Sequence, residues 1–408
     1  MRHRESEKIL FEKIITMKNL LLFSLIFIST HAVCANNLAL RASKEINPQI
    51  SELVDLVNID SLEYYVRHLQ NYGSRYYSTQ TCVDAQNWIK EHFDKYGYET
   101  ELHNVRDYVS HNVIAVKTGS VYPDEYVVCG AHYDSVSWLD FTNDAPGADD
   151  NATGTAGMME IARVLSGMEF ERTIIICTFT AEEIGLQGST DYALRCKEQG
   201  MNILGYINID MSGYKLSDGE FHTLVVFPES ANDLFEYYQT TTRQYVSGLT
   251  VEKGILALGY DSDHTSFNQN GYQAIFPFEY DMNPYLHTAR DTIGTSVNSF
   301  RQVQLFTQAC LASVVSLAGT ASLSGYYDKK TVDEVAIYPN PAKTFLNFEA
   351  ACPITKIEIF SRSGELVLSN EYDENSVSIA TGNLLQGLYL ASVCYCDGVI
   401  TRKIVIEK

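Results

Sequence analysis

At 408 residues the chain exceeds one average domain, so a large unit with at least one smaller appendage is expected. An apolar content of 45% beside 20% charged residues describes a globular protein and excludes a disordered or coiled-coil chain. A net charge of −21 excludes the positive surface that phosphate binding needs, so no nucleic-acid partner is expected.

The amino end reads as an export signal over residues 1–35: Lys18 behind Met17, an apolar run from Leu20 to Ile28, then small residues through Ala35. The run is too short to span a bilayer. Met17 is an alternative start, and lipid attachment at Cys34 is the alternative to cleavage after Ala35. Beyond the signal, eight cysteines permit disulfides after export without identifying any. Cys129 and Cys177 sit in strand-like runs and are read as packed small hydrophobes.

From Ile50 to Gln70 apolar residues recur at helical spacing, with Leu53, Leu56 and Val57 followed by Leu62, Tyr65, Val66 and Leu69. A second helix is expected from Asp84 to Tyr96. β-Branched runs at 112–117, 125–130, 172–179, 203–209 and 222–227 then alternate with helical stretches such as 153–167 and 188–198. The expectation is an α/β fold, a mostly parallel central sheet flanked by helices, in one domain over residues 36–318. After a linker at 319–330 the texture changes to short β-like runs broken by turns. Residues 331–408 therefore read as a small C-terminal β-sandwich with no catalytic cluster.

Ligand sites in such sheets lie beyond the carboxyl ends of the strands, and the chemistry-bearing residues stand there. Gly130-Ala-His132-Tyr-Asp134-Ser135 puts an imidazole at a strand end with a carboxylate placed to receive its other ring N–H. Pro146-Gly-Ala-Asp149-Asp150-Asn151 is a small-residue turn entering a helix, where either carboxylate could bridge two metals or simply cap the helix. Thr180-Ala-Glu182-Glu183 offers two glutamates whose side chains diverge, so one can ligate while the other works as a general base. Asp210 closes a further apolar run, and His287 is followed four residues later by Asp291. Two histidines with three carboxylates make an N/O donor set that suits zinc. Phe276, Phe278 and Met282, near His287, and Met211, next to Asp210, suggest an apolar substrate pocket.

In combination, Gly130–Ser135, Pro146–Gly154, Ala181–Ser189, Asn208–Met211 and Leu286–Thr292 resemble the secreted bacterial leucine-type aminopeptidases of the two-zinc exopeptidase family, over roughly residues 50–318. The resemblance implies two zinc ions per chain. His132 and Asp210 would hold one, Glu183 and His287 the other, with Asp150 bridging them and Asp134 and Asp291 supporting the ligands. It also implies a cis peptide at Asp150–Asn151. Glu182 would take a proton from zinc-activated water and pass it to the leaving amine. Tyr260 would steady the oxyanion, although the cysteine pair that flanks this tyrosine in some relatives is missing here. His264 is read as a supporting residue, since five ligand positions are already filled. The implied reaction is removal of amino-terminal, apolar residues from peptides, the alternative being a single-zinc glutaminyl cyclase on the same fold.

The carboxyl-terminal part resembles the sorting domain of the type IX secretion system, through Ile337-Tyr-Pro-Asn-Pro-Ala342, Ser363-Gly-Glu365, Leu385-Gln-Gly-Leu-Tyr389 and the end Lys403–Lys408. This implies passage through the periplasm, engagement of the outer-membrane secretion machinery, and a secreted or cell-surface location.

Overall fold

The structure, a computed structural model, describes residues 40, 42–43, 45–216, 219–254, 261–320, 335–361, 366–395 and 398–407. The expected signal, most of the linker, Tyr260 and the Ser363–Glu365 turn lie outside the described residues. The chain divides into two compact units, Met1–Ala321 and Ser322–Lys408.

The larger unit is built on an eight-stranded sheet. Its strands are β1 (Glu99–His103), β2 (Asn112–Lys117), β3 (Tyr122–His132), β4 (Arg172–Phe179), β5 (Asn202–Asn208), β6 (Phe221–Val226), β7 (Leu249–Lys253) and β8 (Ala274–Glu279), in the order β1-β2-β4-β3-β5-β8-β6-β7. The four central strands, β4, β3, β5 and β8, run parallel. Antiparallel pairings of β1 with β2, β2 with β4 and β6 with β8 make the whole sheet mixed.

Strand β3 shows why the centre is apolar on both faces. Val127, Cys129 and Ala131 enter one core, while Val128 enters another on the opposite face. The first core is completed by α1 (Pro48–Asp55), α2 (Ile59–Gln70), α3 (Gln80–Lys95), α4 (Gly154–Val164), α6 (Asn232–Tyr245) and α8 (Phe300–Ala318). The second takes Tyr192, Ala193 and Cys196 from α5 (Gln187–Glu198) and Phe267 from α7 (His264–Gln269). Helices on both faces of a centrally parallel sheet are the layering that period-2 burial on two sides requires.

The helix expected over Ile50–Gln70 is two helices. The first ends at Asp55, and Asn58 starts the second, its side chain accepting the N–H groups of Asp60 and Ser61. The apolar pattern runs on without a break because Val57, between the helices, is also buried. Cys129 and Cys177 are free and buried, as are Cys82, Cys196 and Cys310.

In the smaller unit, β9 (Val335–Tyr338), β10 (Phe345–Ser361), β11 (Leu366–Ala380), β12 (Gly387–Tyr395) and β13 (Gly398–Ile406) form one antiparallel sheet. Instead of short runs only, the region holds a long strand, β10, whose register shifts between Glu349 and Ile354. Its first half pairs with β9 and the end of β11, its second with the start of β11 and with β12. Leu346 and Phe348 from the first half share one core with Ile357 and Ile359 from the second. The expected small β-sandwich is thus one hydrogen-bonded sheet carried around a bulge.

Candidate metal centre

The carboxyl ends of the four parallel strands converge on one buried polar site. His132 is the last residue of β3, Glu182 and Glu183 follow β4, Asp210 follows β5, and His287 lies in the loop after β8. Asp150 comes from the turn Ala148–Thr153 that leads into α4. Three non-glycine residues beside these groups take positive φ: Ala181 (56°), Met211 (54°) and His287 itself (53°). Such conformations are uncommon for side-chain-bearing residues and turn the chain sharply where each strand ends.

Two donor groups result, and Asp150 belongs to both. His132, Asp150 and Asp210 offer ligand atoms within 4.8 Å of one another, as do Asp150, Glu183 and His287. His132 Nε2 lies 3.2 Å from Asp150 Oδ1 and 3.4 Å from Asp210 Oδ1. On the other side His287 Nε2 lies 2.9 Å from both Asp150 Oδ2 and Glu183 Oε2. His132 Nε2, Glu183 Oε1 and Asp210 Oδ1 are buried without a hydrogen-bond partner. Three orphaned donor atoms in one small volume are costly unless a cation meets them, so the residues present fit a metal.

Charge tells the same story. Burial opposes ionisation of Asp150, yet the His132 and His287 imidazoles outweigh it and hold the carboxyl below the usual range. Glu183 is pushed up to about 8 by burial and by the neighbouring Asp150 charge. Burial also raises Glu182 well above the ordinary range, although His132 opposes it. Against burial, Asp150 and Glu183 raise His287 to about 11. These are the marks of acids crowded together with too little positive charge.

The surroundings hold each donor. Both carboxylate oxygens of Asp134 accept backbone N–H groups, from Glu182 at 3.1 Å and Glu183 at 3.4 Å. The Asp134 backbone oxygen lies 3.2 Å from His132 Nδ1 and its carboxylate 3.5 Å. Asp134 therefore ties the β3 end to the β4 loop while facing the ring nitrogen that points away from the donor group. Asp291 accepts the N–H groups of Asp149 at 2.8 Å and Asp150 at 3.0 Å. The peptide Asp150–Asn151 is cis, as expected. Asp149 accepts bonds from Gly213 N and Asn283 Nδ2, both at 2.7 Å, so it anchors the turn from the far side.

Of the expected pocket, Met211, Phe276 and Phe278 are buried and form one cluster with Val226. Met282, 61% exposed, stands outside that cluster. His264 is buried beside Phe276, and burial pushes its imidazole down to about 4. It joins neither donor group.

Sequence reasoning missed two residues. The Ser262 hydroxyl donates to Asp210 Oδ2 at 2.7 Å and accepts from Asn208 at 2.8 Å. Arg75 is fully buried, and its guanidinium donates to the carbonyls of Tyr133, Pro146, Gly147 and Leu69 at 2.7 to 3.1 Å. It fastens the segment after His132 to the turn before Asp150. Neither stands in a sequence pattern that announces a bond to the site.

Residues 112–310, which include every donor described above, match peptidase family M28. The larger unit carries a peptidase M28 domain. The peptidase is 27% identical over 285 residues to a probable leucine aminopeptidase of Trichophyton verrucosum, covering 65% of this chain and 76% of that one. It is 35% identical over 193 residues to a probable zinc metalloprotease of Pyrenophora teres, covering 42% of this chain and 40% of the relative. Among solved structures it is similar to the LapA aminopeptidase of Legionella pneumophila, with a TM-score of 0.61, 25% identity and coverage of 68% and 77%. Residues 336–407 match the secretion system C-terminal sorting domain, so the peptidase is exported to the medium or the cell surface.

Proposed function

We propose that this peptidase is a zinc-dependent aminopeptidase whose centre takes two zinc ions, one on His132, Asp150 and Asp210, the other on Asp150, Glu183 and His287. The observation that carries this reading is the sharing of Asp150 by two donor groups in which His132 Nε2, Asp210 Oδ1 and Glu183 Oε1 are buried without a hydrogen-bond partner. Zinc bound there would polarise the scissile carbonyl and make water a competent nucleophile at neutral pH.

The protein's own groups do the rest. Glu182 is raised in pKa by burial and stands beside both donor groups without belonging to either, which suits it to take a proton and return it to the leaving amine. Asp134 fixes the Glu182–Glu183 peptide through the two N–H bonds, so the base and the ligand next to it cannot move independently. Ser262 and the imidazole-facing oxygens of Asp134 orient Asp210 and His132. The Met211–Phe276–Phe278 cluster would receive an apolar first side chain. Tyr260 remains the proposed oxyanion donor.

The test combines metal analysis with one variant. Purified protein is expected to hold close to two zinc ions and to lose hydrolysis of leucine amide on chelation. Glu182→Gln should keep the zinc and lower kcat by about 10²–10⁴-fold, the usual worth of a general base. A zinc content near one with pyroglutamate formed from glutaminyl peptides would replace this reading by the cyclase; full activity of Glu182→Gln would remove Glu182 as the base.

A further inference from the structure

Beyond the donor groups, the site has two apolar ends of opposite character. Beside Asp210, the Met211–Phe276–Phe278 cluster is almost closed to solvent, each member being at most 9% exposed. Beside His287 the apolar surface is open: Trp138 is 72% exposed, Leu139 97% and Phe141 47%. Three large apolar side chains exposed within four positions are not the scattered exposure that ordinary surfaces carry.

This ledge is fixed to the metal centre. The Trp138 ring meets the His287 ring edge to face, with centroids 4.9 Å apart, and the Trp138 backbone N–H donates to the His287 carbonyl at 3.1 Å. Its far end is held as well. Ser74 Oγ donates to the Phe141 carbonyl at 2.7 Å, the Phe141 ring packs 4.8 Å from that of Tyr76, and the Asp140 carboxylate accepts from Asn143. The loop therefore presents Trp138 and Leu139 to solvent from a braced backbone, which lowers the entropy lost when something binds.

We propose that Trp138 and Leu139 form the subsite for the second residue of the peptide substrate, so that the enzyme selects extended peptides with an apolar residue after the one it removes. The proposal rests on the aminopeptidase reading above. Its logic is topological. An enzyme that removes single terminal residues must stop the chain at one end of its site and let it leave at the other. The closed cluster at Asp210 is the stop, and the open end at His287 is the exit. Whatever follows the scissile bond passes the Trp138 indole before it reaches solvent. An apolar side chain there covers indole and Leu139 surface that water otherwise wets, whereas a carboxylate at the same place gains nothing from that surface and loses part of its hydration.

The experiment compares leucine amide, Leu-Phe-Ala and Leu-Asp-Ala on the zinc-loaded full-length enzyme and on the double variant Trp138→Ser/Leu139→Ser. Wild-type kcat/KM for Leu-Phe-Ala should exceed that for Leu-Asp-Ala by about 10-fold or more, the low end of what a half-open apolar pocket discriminates. In the variant that ratio should fall to about 2, mainly through KM for Leu-Phe-Ala. Zinc content and leucine amide turnover, measured in the same preparations, separate loss of the subsite from loss of the centre. A wild-type ratio near one, or a variant that keeps the wild-type ratio, overturns the proposal. Failure of the wild-type enzyme to hydrolyse leucine amide would instead overturn the aminopeptidase reading beneath it.

Discussion

Among the described residues Arg75 has no charged partner at hydrogen-bond distance: the four bonds of its buried guanidinium end on backbone carbonyls. Burial pulls its pKa down, and the acids Asp291, Asp134 and Asp150 work in the opposite direction. A planar fork reaching Tyr133, Pro146 and Gly147 at once sets the spacing between the segments that carry His132 and Asp150, and a single ammonium cannot copy it. Arg75→Lys should leave at least one carbonyl unsatisfied at a cost of about 1–3 kcal/mol, and should weaken zinc binding. Urea unfolding of the zinc-loaded protein, with zinc retention after dialysis against a weak chelator, checks both. Unchanged stability and retention would mean that the carbonyls find other donors. The contrast with the donors explains what the sequence could reveal. His132, Glu182, Glu183 and Asp210 are legible because each closes or follows an apolar run and has an acid nearby. The partners of Arg75 are backbone atoms from three separate segments, and a backbone atom leaves no mark in a sequence. Ser262 is hidden for a related reason, since one hydroxyl bond to Asp210 resembles any other serine in a turn.

At the scale of elements, the site depends on how closely α5 approaches the end of β4, because the loop between them carries Glu182 and Glu183. Gly188 sits at that approach. A Cβ there would meet the Thr180 carbonyl at 2.3 Å and Asn112 Oδ1 at 2.4 Å, neither of which is the free end of a flexible side chain. Asn112 is itself committed, accepting from Thr180 N at 3.1 Å and donating to the Gly188 carbonyl at 2.9 Å. Gly188→Ala must therefore push the first turn of α5 away from β2 and β4. The expected result is a stability loss of about 1–3 kcal/mol from overpacking, with a kcat loss of up to about 10²-fold from displacement of the glutamate loop. Thermal unfolding and leucine amide kinetics read the two effects, and a variant with wild-type kcat would show that the loop moves independently of the helix. The α/β alternation was legible because β3, β4 and β5 are buried on both faces and so read as continuous apolar runs. Edge strands β1 and β7 were not, since each exposes residues to solvent and looks like any amphipathic stretch. Strand β8 carries Pro277, which argues against a strand on sequence alone. It is nevertheless the strand that delivers the chain to His287.

The two units have separate interiors. One core draws on residues from Ile50 to Ala318 and the other on residues from Val335 to Ile406, with no member in common. The last described contacts of the larger unit before the linker are internal to it: Glu171 N donates to the Gly319 carbonyl at 2.9 Å, and Thr320 bridges to Phe170. All ligand candidates and Glu182 lie within the larger unit, while the sorting match lies wholly in the smaller. A domain with its own core can fold alone, and an export address needs no share in the chemistry. A chain ending at Thr320 should then fold, hold the same zinc content as the full chain and hydrolyse leucine amide with kcat/KM within about twofold of it, since a change below 0.4 kcal/mol is all that the loss of a non-contributing unit allows. In cells that use this sorting domain, the shortened enzyme should accumulate in the periplasm in active form, whereas the full chain reaches the surface or medium. Activity measured in cell fractions decides the matter. If the shortened chain is inactive or insoluble when purified, the sorting unit assists folding of the peptidase; if it is active and still leaves the cell, the export address lies elsewhere in the chain.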